Sequence, residues 1–192
     1  MTMKEIYQKH SLDLSKALEN VSDFHNQIAE VSLVLREIFG KGYKVLVAGN
    51  GGSAAEAQHL SDEMVGRYKA DRPSYPVIAL TADSAVITCI GNDYGYENVF
   101  KRQVEALGKE GDVFIGLTTS GTSKNILAAA QQAKDQGMTV IALTGPKGSF
   151  KDVADYAIIS PSEINMRIQE MHLHAIHLLC EAFELENINK KL

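Results

Sequence analysis

Two distant stretches of this chain carry side chains whose types and spacing could do chemistry. His59 and Glu63 stand four residues apart in a helical pattern, so both face one side of a helix, one turn apart. That spacing suits two ligands of one metal or a general base beside a ligand, and it equally suits a surface hydrogen bond. Much later, Arg167-Ile168-Gln169-Glu170-Met171-His172-Leu173-His174-Ala175-Ile176-His177 sets three of the chain's six histidines, with Gln169, into an otherwise apolar helical pattern.

Two polar loops add a second chemistry. Ala48-Gly49-Asn50-Gly51-Gly52-Ser53 follows the apolar run 43–47 and precedes the helical pattern 54–67. A strand that stops in a glycine turn and enters a helix directs free N–H groups and the positive helix end at whatever lies above it, which favours an anion. Asn50 and the glycines also tolerate positive φ, and a tight turn with no ligand is the plainer reading. Gly49-x-Gly51-x-x-Ala54 formally fits a dinucleotide fingerprint, but the acid that should close the next strand is missing. Asp71 lies instead within Asp71-Arg72-Pro73, ahead of the apolar run 75–80. The loop therefore reads as a seat for a phosphorylated small molecule rather than a nicotinamide or flavin. Thr118-Thr119-Ser120-Gly121-Thr122-Ser123 offers five hydroxyls ahead of another helix, enough to surround phosphate oxygens without a lysine. A capped helix start would need only one of them.

The elements that must position these residues follow from periodicity. Helical patterns over 4–20 and 23–39, with Gly40 as a stop, precede the first strand. They cover a sheet face or extend to a partner subunit, and the second role is assigned to part of their surface. Apolar runs at 43–47, 77–80, 112–117, 139–143 and 156–159 read as strands. Helices are expected at 54–67, 83–90, 97–107, 125–136 and 163–186, with Gly91-Asn92-Asp93-Tyr94-Gly95 closing the second of these. Strands alternating with helices imply an α/β fold, a central parallel sheet with helices on both faces. In such sheets ligands gather at the carboxyl ends of the strands, where both polar loops fall.

Composition sets outer limits. A chain of 192 residues with 45% hydrophobic content suits one α/β domain over 1–192, with helices at 1–40 and an α/β core with its C-terminal helix at 41–192. A net charge of −5 gives no overall positive field, so neither nucleic acid nor an anionic membrane is expected as a partner. Cys89 and Cys180 lie in apolar helical patterns and read as buried thiols rather than a disulfide framework. The absence of a leader-like segment and of an apolar run near 18 residues predicts a soluble, cytoplasmic protein.

The residues together resemble a known family. Gly49-Asn50-Gly51-Gly52-Ser53, His59-x-x-x-Glu63, Gly66-Arg67-Tyr68, Arg72-Pro73, Asn92-Asp93, Thr119-Ser120-Gly121-x-Ser123, Leu143-Thr144-Gly145 and Arg167-Ile168-Gln169-Glu170 are similar, in order and spacing, to the phosphoheptose (sedoheptulose 7-phosphate) isomerases. The resemblance implies the sugar isomerase (SIS) fold, a three-layer α/β/α sandwich. It also implies a homotetramer with active sites between subunits and conversion of sedoheptulose 7-phosphate to D-glycero-D-manno-heptose 7-phosphate, toward the ADP-heptose of lipopolysaccharide core. By the same resemblance, His59, Glu63, Gln169 and His177 hold one zinc ion per subunit. Asn50, Gly51, Gly52, Ser53, Asn92 and Asp93 meet the sugar, Thr118, Thr119, Ser120 and Ser123 hold the phosphate, and Arg67 supports that anion. Glu63 and Gln169 also belong to the substrate site. Gln169 and His177 lie roughly 12 Å apart along an ideal helix and about 80° around it, so they share an ion only if their side chains lean together. His172 and His174 are the nearby alternatives, each also readable as a core or interface histidine.

Moving a carbonyl from C2 to C1 requires a base at C1, stabilisation of an enediolate oxygen, and a proton returned at C2. Glu63 is the expected base and His177 the second acid/base, although a carboxylate bound tightly to zinc is a poor free base. Two departures from the family pattern stand out, Met166 where an acid is expected and Ala54-Ala55 after the glycine loop. Loss of the acid lowers the rate without changing the reaction. The alternative reading is a non-enzymatic SIS homotetramer that binds the bacterial replication initiator protein. It resembles this chain at Arg167 to His172, Ala54-Ala55 and Gln58-His59, but lacks the counterparts of Glu63 and His177. A phosphosugar sensor without turnover is a third.

Overall fold

The computed structural model describes residues 1–189, with side chains through Glu184. Five parallel strands, β1 (Val45–Gly49), β2 (Val77–Ala79), β3 (Val113–Thr118), β4 (Thr139–Thr144) and β5 (Tyr156–Ile159), form one sheet in the order β2-β1-β3-β4-β5. Register is continuous through the middle, with Val47 paired to Ala79 and Ile115, and Ile115 to Ile141. Strands buried on both faces need apolar residues at every position, and β1 and β3 are buried throughout.

The pleat sends alternate side chains into two cores. Val45, Val47, Ile115, Leu117, Ile141 and Leu143 face α2 (Ser22–Gly40), α3 (Gly52–Val65) and α8 (Asn165–Asn189). On the other side Leu46, Ala48, Phe114, Val140 and Ala142 meet α4 (Ser84–Tyr94), α5 (Lys101–Leu107), α6 (Lys124–Asp135) and α7 (Phe150–Val153). This is the expected three-layer sandwich with a long final helix. The first helix, α1 (Met3–Glu19), starts at a capping box built by Thr2 and Glu5 and buries only Ala17, leaving Met3, Tyr7 and Leu12 exposed. Arg167 ties it to α8 by donating to the His10 carbonyl (2.6 Å).

Three local readings are corrected. The helix α4 runs on through Gly91, Asn92, Asp93 and Tyr94, stopping only at Gly95, whose φ of 83° no other residue type adopts readily. The pattern at 97–107 splits into a 3-10 turn (Tyr96–Asn98) and α5, and α7 was not expected. Cys89 is exposed rather than buried, because the apolar stripe of α4 turns Ile90 to the core and leaves its neighbour on the outer face; Cys180 is buried as expected. Among the described residues no helix is long and apolar enough to cross a membrane.

Candidate active site

The strand order reverses between β1 and β3, since β2 lies on one side of β1 and β3 to β5 on the other. Such a switch point opens a crevice at the carboxyl ends of the two strands, and both polar loops rise from it. Of the glycine loop, Gly51 alone takes positive φ (57°), at the N-cap of α3, where no side chain caps the helix. A Cβ on Gly52 would meet the Gln169 side-chain amide, which marks how closely α8 approaches the glycine turn. Asn50 binds the two loops together. Its Nδ2 donates to Asn125 Oδ1 (2.9 Å), Asn125 Nδ2 donates back to Asn50 Oδ1 (2.8 Å), and the Tyr96 hydroxyl donates to the same oxygen (3.1 Å).

The hydroxyl loop does not serve as a cap. Ser123 is the N-cap of α6 but makes no side-chain cap bond. Instead Thr118 Oγ1 lies 3.0 Å from Ser123 Oγ and 3.3 Å from Ser120 Oγ, while the N–H groups of Gly121 and Thr122 donate to Thr118 Oγ1 and Ser120 Oγ. The hydroxyls thus form a small cluster at the positive end of a twelve-residue helix, with Thr119 and Ser120 opening onto a cavity of about 280 Å³ shared with Lys147 and Asn165. Hydroxyls and N–H groups set around a helix start suit a phosphate.

The helices α3 and α8 run side by side in the same direction. Gly52 faces Gln169, Glu56 lies near His172, and His59 faces His177. His59 Nε2 stands 3.1 Å from His177 Nε2 and 3.6 Å from Glu63 Oε1, with all three half-buried and their donor atoms within 4.8 Å of one another. Tyr68 closes one side, its ring 5.7 Å from that of His177. Ligand atoms about 2.0–2.1 Å from a tetrahedral zinc lie about 3.3 Å from each other, so these separations and this N/N/O donor set fit the ion.

The expected residues do not all meet within one chain. Asn50, Gly51, Gly52, Ser53, Gln169, Thr118, Thr119, Ser120 and Ser123 surround the crevice, and His59, Glu63 and His177 form a second group about 10 Å further along α3 by helix geometry. Gln169 belongs to the first group in this chain. Arg67 is exposed two residues beyond α3, at the opposite end of that helix from Ser53. Asn92 and Asp93 are exposed on α4, where Asp93 lines a cleft of about 860 Å³ with Cys89, Tyr94 and Arg102. Met166 is exposed in the first turn of α8.

Sequence reading missed Asn125 and Glu56. Asn125 shares the buried face of α6 with Ile126, Ala129 and Ala133, and a lone amide in that stripe was the available signal. His172 is fully buried, with Glu56 Oε2 3.7 Å away and no hydrogen-bond partner for either ring nitrogen. His174 lies against Phe24 and His25 of α2, where burial, then the charges of His25 and His177, lower its pKa.

Comparison with known proteins bears on this arrangement. A family profile described as SIS domain matches residues 7–145. The chain is similar to the phosphoheptose isomerase of Sulfurimonas denitrificans, 46% identical over 179 residues that make up 93% of this chain and 92% of that one. The solved structure of a phosphoheptose isomerase from Francisella tularensis superposes with a TM-score of 0.89 at 37% identity, covering 95% of this chain and 98% of that one. Another, from Neisseria gonorrhoeae, superposes with a TM-score of 0.87 at 34% identity, covering 95% and 99%.

Proposed function

The chain belongs to the SIS domain family and, within it, to the phosphoheptose isomerases; from that premise we propose how its own residues carry the reaction. It is an aldose–ketose isomerase that converts sedoheptulose 7-phosphate to D-glycero-D-manno-heptose 7-phosphate in heptose biosynthesis. The observation that carries the assignment of roles is the meeting of His59 and Glu63 from one helix with His177 from another, 118 residues away.

Thr118, Thr119, Ser120 and Ser123, with the N-terminus of α6, hold the phosphate. Asn50, Gly51, Gly52, Ser53 and Gln169 orient the sugar chain. Glu63 removes a proton from C1, the electron pair forms the C1–C2 double bond, and the negative charge moves to O2. The O1 proton passes to O2, His177 delivers a proton to C2, and the electron pair left on O1 closes the carbonyl at C1, with a hydroxyl at C2. His59, Glu63 and His177 would hold zinc; Gln169, which the family resemblance makes a further ligand, stands beside Gly52 in this chain. A zinc ion so held supplies Lewis-acid stabilisation of the developing oxygen charge.

Two groups separated by about 10 Å, and Arg67, Asn92 and Asp93 lying elsewhere, support an active site completed between subunits of a homotetramer. The exposed apolar residues of α1 support such an assembly too. The proposed compartment is the cytoplasm, and the product feeds the lipopolysaccharide core. The initiator-binding alternative is not favoured, since Glu63 and His177 are both present and adjoin the same imidazole.

The test is to incubate metal-replete protein with sedoheptulose 7-phosphate and detect the aldose phosphate, alongside Glu63→Gln. Turnover should fall by at least about 100-fold in the variant, the scale of a general base. Undiminished turnover would remove Glu63 from that role, and ligand-induced stabilisation without product in the parent would leave a sensor.

A further inference from the structure

The buried cation at Arg72 takes no part in the site described above, yet it touches the backbone of one of its members. Its side chain is fully buried, and so is that of Glu184. Arg72 Nε donates to Glu184 Oε1 (3.2 Å), one terminal nitrogen donates to the carbonyls of Met64 (2.9 Å) and Pro73 (3.1 Å), and the other donates to the carbonyl of Glu63 (2.6 Å). The guanidinium also lies 5.0 Å from the centre of the Tyr75 ring. Glu184 is filled from its other side by the N–H groups of Ala70 (3.1 Å) and Lys69 (3.4 Å).

These contacts meet a defined need. The last carbonyls of a helix have no partner within it, and α3 ends at Val65, so the Glu63 and Met64 carbonyls require outside donors. A planar guanidinium supplies both at once and still reaches the carboxylate, which a lysine ammonium does not. Glu184 is seven residues beyond His177, two turns along α8 and on nearly the same face. One buried fork therefore joins the backbone of Glu63 to the helix that carries His177.

We propose that Arg72 and Glu184 are positioning residues that set the register of α3 against α8, and so the separation of Glu63 and His59 from His177. The proposal rests on the reading of those three as the metal and acid/base group. Without the fork α3 still packs through Leu60 and Met64, and the Met64 carbonyl keeps the Tyr75 N–H (3.0 Å), but the Glu63 carbonyl and Glu184 lose the guanidinium that ties the last turn of α3 to α8. A site that must hold donor atoms to a few tenths of an ångström loses its geometry before the fold loses its core.

The test uses the double variant Arg72→Met/Glu184→Leu, because replacing a buried ion pair by apolar side chains of similar size leaves no stranded charge. Because the Glu63 carbonyl and the Ala70 and Lys69 N–H groups lose their partners, the variant should melt below the parent but still unfold in one cooperative transition. Titration of metal-free protein with Co²⁺, followed by the visible absorption of the tetrahedral ion, should need about 10- to 100-fold more metal for half-saturation. For metal-saturated enzyme kcat should fall by a similar factor while KM, set by the distant phosphate loop, stays within about threefold. Parent-like Co²⁺ binding and kcat in a folded double variant would overturn the proposal. Should that variant fail to fold, Arg72→Lys, which keeps the charge but not the fork, should show the same two losses, and parent-like behaviour there would overturn it equally. A parent that neither binds Co²⁺ nor turns over substrate would refute the underlying site reading and this inference with it, whereas a competent parent with an unaffected variant refutes the inference alone.

Discussion

Replacing Asn125 by Ala tests whether the two loops work as one unit. Asn125 is buried and exchanges two hydrogen bonds with Asn50, at 2.8 and 2.9 Å, which join the glycine loop directly to the start of α6. Each neutral hydrogen bond contributes about 1 kcal/mol net, so their joint loss costs about 2 kcal/mol. Asn50 Oδ1 keeps the Tyr96 hydroxyl and Nδ2 can turn to water, since Asn50 is half-buried, so no large further penalty follows. For a chain of this size that loss lowers Tm by about 4–8 °C. If substrate must then re-order Asn50 on binding, the same 2 kcal/mol appears as a rise in KM of up to about 30-fold, with kcat little changed because Glu63 and His177 lie elsewhere. Thermal melts and steady-state kinetics on sedoheptulose 7-phosphate check both. A fall in Tm with unchanged KM would show the loops to be independent in binding, and no change in either would refute the amide pair itself.

The two thiols should separate cleanly in native protein. Burial, and after it the Glu63 carboxylate, pushes Cys180 up to about 12, while Cys89 is exposed, so a disulfide reagent near pH 8 should titrate one thiol per chain and the second only after unfolding. Two fast thiols would contradict the packing of α8. Acid should weaken the fold partly through His174, which packs on Phe24 and His25 and is held neutral by burial and by the charges of His25 and His177. Its folded pKa lies below the unfolded value near 6.5, so the unfolded chain binds the extra proton and stability falls as pH drops through about 6.5 toward the folded value. His174→Leu should flatten the urea midpoint between pH 7.5 and 5.5, and an unchanged slope would exclude the residue from that response.

Most of the fold was readable because its signals were redundant. Buried parallel strands announce themselves as continuous apolar runs, and Val113 to Leu117 or Val140 to Leu143 admit no other reading beside Gly-rich or hydroxyl-rich ends. The errors fell where one residue was read without its neighbours in space. Gly91 suggested a stop, but a glycine inside a helix costs only about 1 kcal/mol against alanine, and α4 absorbs it. Hydropathy alone buries Cys89, whereas the exposed side of α4 faces a cleft shared with Asp93 and Arg102. The meeting of His59 and Glu63 with His177 is implied by the family resemblance and not by the pattern of either helix, and the structure brings the three together. The clamp by Arg72, which joins residues 9 and 112 positions away in the chain, has no such signal.

The direction of α8 resolves the spacing problem that the sequence left open. Gln169 and His177 are too far apart along one helix to share an ion comfortably, and so are Gly52 and His59 along the other. Because α3 and α8 run the same way, the seven-residue step from Gly52 to His59 matches the eight-residue step from Gln169 to His177. The helix pair therefore carries two levels, an upper one where Gln169 lies over the glycine turn and a lower one where two imidazoles and a carboxylate converge. Buried His172 and half-buried Glu56 lie between them, 3.7 Å apart and without a hydrogen bond, while Arg72 and Glu184 hold the bottom. On the roles proposed above, the upper level offers an open-chain substrate backbone and amide groups, whereas the lower level offers two imidazoles and a carboxylate. Binding and proton transfer are thereby assigned to different turns of the same two helices. That separation is why Asn125→Ala should change KM, whereas loss of the Arg72 fork should change kcat.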